Sequence, residues 1–180
     1  KVDTVVLDKT GTITKGTPEV TEVISLESAW TQDDILRVSA SVEKLSEHPL
    51  ADAIVGRAYE QRIALEHVHN FQALEGVGVE GVIGDKHILI HKPAKDISQA
   101  DSIKELQEQG KTVVIVEVDK KQVGLIALSD TLKEESKEAV AKLHARSIKV
   151  ILLTGDNALA AHYIARLAGI DAVIAEVLPH

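Results

Sequence analysis

Two continuous aliphatic runs, Val5-Val6-Leu7 and Val150-Ile151-Leu152-Leu153, stand near opposite ends of the chain, and each stops at small and polar residues. Runs of this kind mark strands of a parallel sheet covered on both faces. Open α/β sheets present their chemistry just beyond the carboxyl ends of such strands. Between the two runs the period changes. Lys15-Gly16-Thr17-Pro18 reads as a turn, and Glu19 to Leu26 then alternates, with Val20, Val23 and Ile24 as the inward set of a strand leaving through a hinge near residues 18 to 22. Ile35, Leu36, Val38, Val42 and Leu45 recur at helical spacing behind Thr31, an N-cap followed by acids in the first turn. A second helix is predicted from Pro49 to about Arg62, with Leu50, Ala53, Ile54 and Ala58 facing inward.

Strand patterns return around Val79, Val82, Ile88 and Ile90, with Gly84-Asp85-Lys86 as a hairpin turn. A helix over Ser102 to Gln109, capped by Gly110, precedes a second hairpin, Thr112 to Val118 and Gln122 to Leu128, joined by Asp119-Lys120-Lys121. From Glu134 to about Arg146 a helix with Ala139, Val140 and Leu143 on one face leads into the second aliphatic run. Ala158 to Ala168 then continues as a helix and Ala172 to Val177 as a short strand. The fold class is therefore α/β. Residues 1–20 and 130–180 form a split parallel-sheet domain, and residues 21–129 form an inserted α+β domain on an antiparallel sheet, with the second crossing near Ser129-Asp130.

Composition narrows the partners. A net charge of −8 argues against nucleic acid or an anionic membrane surface as a partner. The absence of Cys removes disulfides and thiolate metal sites. No run reaches the roughly 18 to 20 apolar residues that span a bilayer. With no Met, and Lys1 opening in the approach to a strand, the chain reads as a piece of a longer parent, and the absence of a membrane helix describes the piece only.

The chemistry concentrates after the first run, at Asp8-Lys9-Thr10-Gly11-Thr12. An isolated Asp there reads more readily as a strand-end cap. Here, however, Asp8 is a candidate nucleophile in a loop where Gly11 permits a tight turn, Lys9 supplies charge, and Thr10 and Thr12 supply donors for a phosphoryl group. These five residues resemble the phosphorylation motif of the P-type ATPases, whose aspartate takes the terminal phosphate of ATP. The resemblance implies a haloacid-dehalogenase-like fold for the split domain. In that wider superfamily a second Asp, the general acid and base, commonly stands two positions after the nucleophile; here that position is Thr10. A threonine hydroxyl carries protons poorly near neutral pH, so a long-lived phosphoenzyme is expected. Thr154-Gly155-Asp156, which taken alone reads about as readily as a structural turn, resembles the family's second motif, with Thr154 binding phosphate and Gly155 and Asp156 shaping the site. The resemblance also implies Mg2+ held by Asp8 and the backbone carbonyl of Thr10.

Within the insertion, Ser46-Glu47-His48-Pro49-Leu50 resembles the His-Pro signature of the nucleotide-binding domain in heavy-metal-transporting P-type ATPases. This implies ATP contacts from His48, by stacking, and from Glu43, five residues earlier, as an acceptor for the exocyclic amine. Gly76-Val77-Gly78 matches the subfamily's Gly-x-Gly, where the backbone approaches the nucleotide, although Gly in a hairpin or bulge explains it equally. A dinucleotide fingerprint ending at Gly81 is rejected because strands, not a helix, follow. Ile90-His91-Lys92-Pro93 departs from the subfamily's Gly-Asn pair toward a branch associated with copper export, and His91 and Lys92 are expected to be solvated.

The parent implied by this resemblance is a copper-exporting pump of the plasma membrane. Its partners are ATP, its own membrane helices and actuator domain, and the heavy-metal ion, with hinge closure delivering phosphate to Asp8. The chain stops at Leu178-Pro179-His180, before the family's following Lys and its magnesium-holding Gly-Asp-Gly motif, so the piece alone is expected to bind ATP weakly and phosphorylate poorly. A soluble phosphatase of the same superfamily and a nonenzymatic nucleotide-binding module are the other classes in view.

Overall fold

The computed structural model describes residues 2–94 and 100–177; the Leu178-Pro179-His180 segment lies outside the described residues. The chain divides into two compact units. One comprises Lys1–Pro18, Asp101–Thr112 and Ser129–His180, and the other Glu19–Ala100 and Val113–Leu128.

In the first unit, β1 (Thr4–Asp8), β8 (Lys149–Leu153) and β9 (Ala172–Ile174) form a parallel sheet in the order β1-β8-β9. Helices α4 (Ser136–His144) and α5 (Ala158–Ala168) supply Val140, Ile164, Ala165 and Ala168 to a core around Val150 and Leu152. Val150 and Leu152 are fully buried, whereas Ile151 and Leu153 are only half-buried and Val6 is 52% exposed. The expectation of a sheet covered on both faces is thus met on one face among the described residues. Helix α3 (Ala100–Glu108) and the residues after it, predicted as part of the insertion, group with this unit, where Gly110 lies against the Tyr163 ring of α5.

The second unit is a six-stranded antiparallel sheet in the order β2-β7-β6-β5-β4-β3. Its strands are β2 (Glu19–Ser25), β3 (His69–Leu74), β4 (Gly78–Ile83), β5 (Lys86–His91), β6 (Thr112–Val118) and β7 (Lys121–Ser129). Helices α1 (Gln32–Glu43) and α2 (Pro49–Glu60) bury Ile35, Leu36, Val42, Ile54 and Ala58 in a core shared with Ile88, Ile90, Val116 and Ile126. Thr31 caps α1 in a reciprocal box with Asp34, and Pro49 opens α2. Helix α1 ends two residues earlier than its apolar spacing suggests, so Leu45, expected inside, is 50% exposed. In the first hairpin Lys86 already belongs to β5, leaving Gly84, at φ +62°, and Asp85 as the turn. In the second hairpin Lys121 already belongs to β7, leaving Asp119 and Lys120, both at positive φ, as the turn.

Candidate functional site

Parallel pairing brings the two sequence motifs of the first unit together. Asp8, the last residue of β1, pairs in register with Leu153, the last residue of β8, so Thr154-Gly155-Asp156 continues the chain directly beside it. Asp8 is exposed. Lys9 is 7% exposed, and its ammonium is paired with the Asp156 carboxylate. Thr154 is buried. Its Oγ1 accepts a hydrogen bond from the Asp156 N–H at 3.1 Å, and its own N–H donates to the Ile174 carbonyl at 3.0 Å. Val177 N–H donates back to the Thr154 carbonyl and Glu176 N–H to that of Asp156. These bonds turn the chain out of β9 after Ile174, short of the Val177 end predicted from apolar content. Asn157 then caps α5 by accepting from the Ala160 N–H at 2.9 Å, so the positive end of a helix opens one residue after Asp156.

The Asp8 loop is a wide turn over Lys9–Ile13, closed by the Thr14 N–H donating to the Lys9 carbonyl at 3.0 Å, with Gly11 at φ +75°. Thr10 and Thr12 are exposed. Three residues outside the motif hold this turn. Asp130 accepts from the Thr14 hydroxyl at 2.5 Å and from the Gly16 N–H; Lys133 donates to the Gly11 carbonyl at 2.5 Å; Ser136 donates to the Ile13 carbonyl at 2.8 Å. None was singled out from sequence as a site residue. Their only visible signal was that Ser129-Asp130 interrupts a strand pattern. For Mg2+, the Asp8 carboxylate and Thr10 carbonyl are hard oxygen donors of the right class, but among the described residues no group of three or more His, Asp or Glu side chains gathers. They fit as two ligands, with water and substrate oxygens needed for the rest.

The second unit gathers its four predicted residues into one cleft. Glu43, His48, Gly76 and Gly78 line about 360 Å³, within the range of small-molecule pockets, and Leu50, Leu74, Val79, Ile90 and Val114 supply apolar wall. Glu43 closes α1 and is 7% exposed; burial pushes its carboxyl up to about 7, against a stabilising hydrogen bond from the Ser46 hydroxyl. His48 is the exposed N-cap of α2, its Nδ1 accepting from the Leu50 N–H at 3.1 Å. Gly76 takes φ +72° in the β3–β4 turn, a conformation that favours glycine. Gly78 has a different reason for lacking a side chain: a Cβ there would lie 2.0 Å from the Ile90 carbonyl oxygen.

The departure at Ile90-His91-Lys92-Pro93 is where the structure corrects the sequence. His91 is not solvated. It sits opposite Gly78 across β4 and β5, lines the cleft, and has a side chain only 14% exposed. Its Nδ1 is 2.8 Å from the Lys92 carbonyl; its Nε2 is 3.2 Å from Glu117 Oε1, close enough for an ion contact but misaligned for a hydrogen bond. Lys92 is exposed, as expected, yet its N–H donates to the Val77 carbonyl at 3.0 Å and ties the Gly76 turn to the end of β5. No local pattern could announce His91, because its environment is made by strands β4 and β6.

Residues 2–180 match the family model of a hydrolase, the haloacid dehalogenase-like hydrolases. The chain belongs to that family. Among curated proteins, this haloacid dehalogenase-like chain is 40% identical to "Copper-exporting P-type ATPase B" of Archaeoglobus fulgidus over 98% of its own length. It spans about a quarter of the curated relatives it matches, 26% in that case. Among solved structures it superposes on the catalytic domain of the CPx-ATPase CopB-B with a TM-score of 0.77 and 30% identity, covering 98% of this chain and 62% of that one. It superposes on a zinc-transporting PIB-type ATPase in the E2.Pi state with a TM-score of 0.71 and 36% identity, covering 98% of this chain and 29% of that one. The similar proteins thus include both copper and zinc transporters of the P-type class.

Proposed function

We propose that this haloacid dehalogenase-like chain is the ATP-binding and phosphorylated part of a heavy-metal-translocating P-type ATPase, with copper as the exported ion. The observation that carries the reading is the β1–β8 register, with Asp8 in reach of solvent and Thr154-Gly155-Asp156 continuing beside it. The similarity to copper-exporting and zinc-transporting P-type ATPases supports the same reading.

In this reading Glu43, His48, Gly76 and Gly78 hold the nucleotide. A carboxylate oxygen of Asp8 attacks the terminal phosphorus in line, the bond from that phosphorus to the bridging oxygen breaks, and ADP leaves with the electron pair. Lys9 and the Thr154 hydroxyl balance charge on the transferred group, and Asp156 holds the Lys9 ammonium in place. Mg2+, when bound at Asp8 and the Thr10 carbonyl, supplies further charge neutralisation. Thr10, which cannot serve as a general base near neutral pH, leaves the acyl phosphate slow to hydrolyse, which suits energy transduction better than phosphatase turnover. No helix among the described residues is long and apolar enough to cross a membrane. In this proposal the membrane helices, the actuator domain and the ion site belong to the rest of a plasma-membrane pump whose cytoplasmic portion this chain forms.

The test is phosphoenzyme formation in the full-length pump. Asp8→Asn is expected to abolish the acid-stable, hydroxylamine-labile label from ATP while leaving nucleotide binding intact; persistent label in that variant would move the nucleophile elsewhere. For the cleft, His48→Asn keeps an efficient N-cap and deletes the ring. A loss of about 1 to 3 kcal/mol in ATP binding, roughly 5- to 150-fold, is expected if the ring stacks on the base.

A further inference from the structure

Four histidines have polar partners: His48 takes the Leu50 N–H, and His87, His91 and His144 face Glu80, Glu117 and Asp171. His67 and His69 differ. No hydrogen bond or ion pair among the described residues engages either ring, and each instead meets the other, with centroids 4.4 Å apart and planes at 89°. Both side chains are exposed. Val68, between them, packs on the core of the second unit, and in extended chain the neighbours of an inward residue point outward. A bulge follows at Asn70, φ +51°, where the register with β4 moves from His69–Val82 to Gln72–Glu80, so the strand bends just after the pair. Strand β3 is the last of its sheet, and its outer edge pairs with no strand among the described residues. Neither histidine lines the cleft of Glu43 and His48.

Imidazole nitrogens are ligands for Cu2+, Ni2+ and Zn2+, and the separation of the two rings discriminates among the geometries these ions prefer. A metal–nitrogen bond of about 2.0 Å and the roughly 1.1 Å from a ring nitrogen to its centroid put the metal about 3.1 Å from each centroid. Two such rings at a right angle, as in a tetragonal ion, have centroids ~4.4 Å apart; at the tetrahedral angle of Zn2+ they stand ~5.1 Å apart. The pair shows the first spacing, 4.4 Å. Turning each ring about its Cβ–Cγ bond, a broad torsion, aims a nitrogen at a common point and leaves the centroids in place, because that bond points through the ring centre. No third side chain is at hand. Glu66 is held by the Arg37 Nε at 3.0 Å, and His87, on the same register row beyond Val82, stands two strands and about 10 Å away with Glu80 at its Nε2. We propose that His67 and His69 form a two-nitrogen chelate for a divalent ion of tetragonal preference, Cu2+ before Zn2+, with water in the remaining positions. The site belongs to the second unit and stands whether or not the cleft takes a nucleotide.

The experiment titrates CuCl2 and ZnCl2 separately into the 180-residue chain carrying no histidine tag, by calorimetry, and records the electron paramagnetic resonance spectrum of the Cu2+ form. His67→Gln and His69→Gln each remove one ligand from an exposed position, and His162→Gln, an exposed histidine of α5, serves as the control. Expected are one Cu2+ per chain at the tightest site, a spectrum with two nitrogen ligands, and a loss of about tenfold or more in Cu2+ affinity for either His67→Gln or His69→Gln. The control should match wild type, and Cu2+ should bind at least about tenfold more tightly than Zn2+. Urea midpoints equal to wild type verify that the variants are folded. Wild-type Cu2+ affinity in both His67→Gln and His69→Gln would place the ion elsewhere and overturn the site. Equal losses in all three variants would mean separate single imidazoles holding an adventitious ion only. Zn2+ bound as tightly as Cu2+ would overturn the tetragonal chelate.

Discussion

Glu43 also couples fold to pH without any ligand. Its carboxyl is raised from 4.5 to about 7 by burial. Between those values the native chain holds a proton that the unfolded chain has released, so stability is fully present below about pH 4.5 and declines as pH rises through 7. The decline amounts to at most about 3.5 kcal/mol, at ~1.4 kcal/mol per pH unit between 4.5 and about 7. Urea midpoints at pH 5 and pH 8 should therefore differ more in wild type than in Glu43→Gln, and parallel pH slopes would remove the burial cost from the account. Lys9 poses the opposite case. Sequence presents it as free charge beside Asp8, but it is already neutralised by Asp156, whose side chain is 24% exposed against 9% for Lys9. Deleting one partner strands the other in a partly buried place, with an expected loss of about 1 to 3 kcal/mol, below the cost for full burial. A double-mutant cycle with Lys9→Gln and Asp156→Asn should show coupling above about 0.5 kcal/mol; strict additivity would mean the pair contributes nothing. The partnership was invisible in sequence because 147 positions separate the two residues.

At the scale of elements, what could be read from sequence followed from how local the cause was. Helix α1 was legible because its start is written in adjacent residues: Thr31 accepts from the Asp34 N–H, and Asp34 accepts from the Thr31 N–H. The Thr31 hydroxyl and then its N–H, both donating to the Asp34 carboxylate, lower that carboxyl to about 2, so the cap is intact above the ordinary carboxylate range and fades as pH falls toward that value. Thr31→Ala is expected to cost about 1 kcal/mol, read as a lowered unfolding midpoint with unchanged denaturant slope. A variant as stable as wild type would show that tertiary packing alone sets the start of α1. Elements whose ends are set by distant partners were misjudged. Helix α4 begins at Ser136, not Glu134, because Lys133 and Ser136 turn back to the carbonyls of the Asp8 loop. Ala139, expected on its buried face, is exposed, while Val140 and Ser136 are buried.

For the whole molecule, the sequence motifs marked residues that the fold gathers in one place in each unit, yet Asp130, Lys133 and His91 beside them emerged only from contacts between segments remote in sequence. Each site rests on its own core: Val150, Leu152 and Ile164 behind Asp8, and Ile54, Ile88 and Val116 behind the cleft. Separate cores imply separately measurable opening energies, because amide exchange reports the cooperative unit in which each bond lies. A ligand that binds only the cleft stabilises the unit that forms it by RT ln(1 + [L]/Kd), about 2.7 kcal/mol at a hundredfold excess over Kd. ATP added without Mg2+ should therefore slow exchange at Ile88, Ile90 and Val116 by roughly that amount, about a hundredfold, while Val150 and Leu152 change little. Equal slowing in both sets would show that the two cores open as one unit. Slowing confined to Val150 and Leu152 would place the nucleotide at the Asp8 end, and the cleft of Glu43 and His48 would then lose its role in holding ATP.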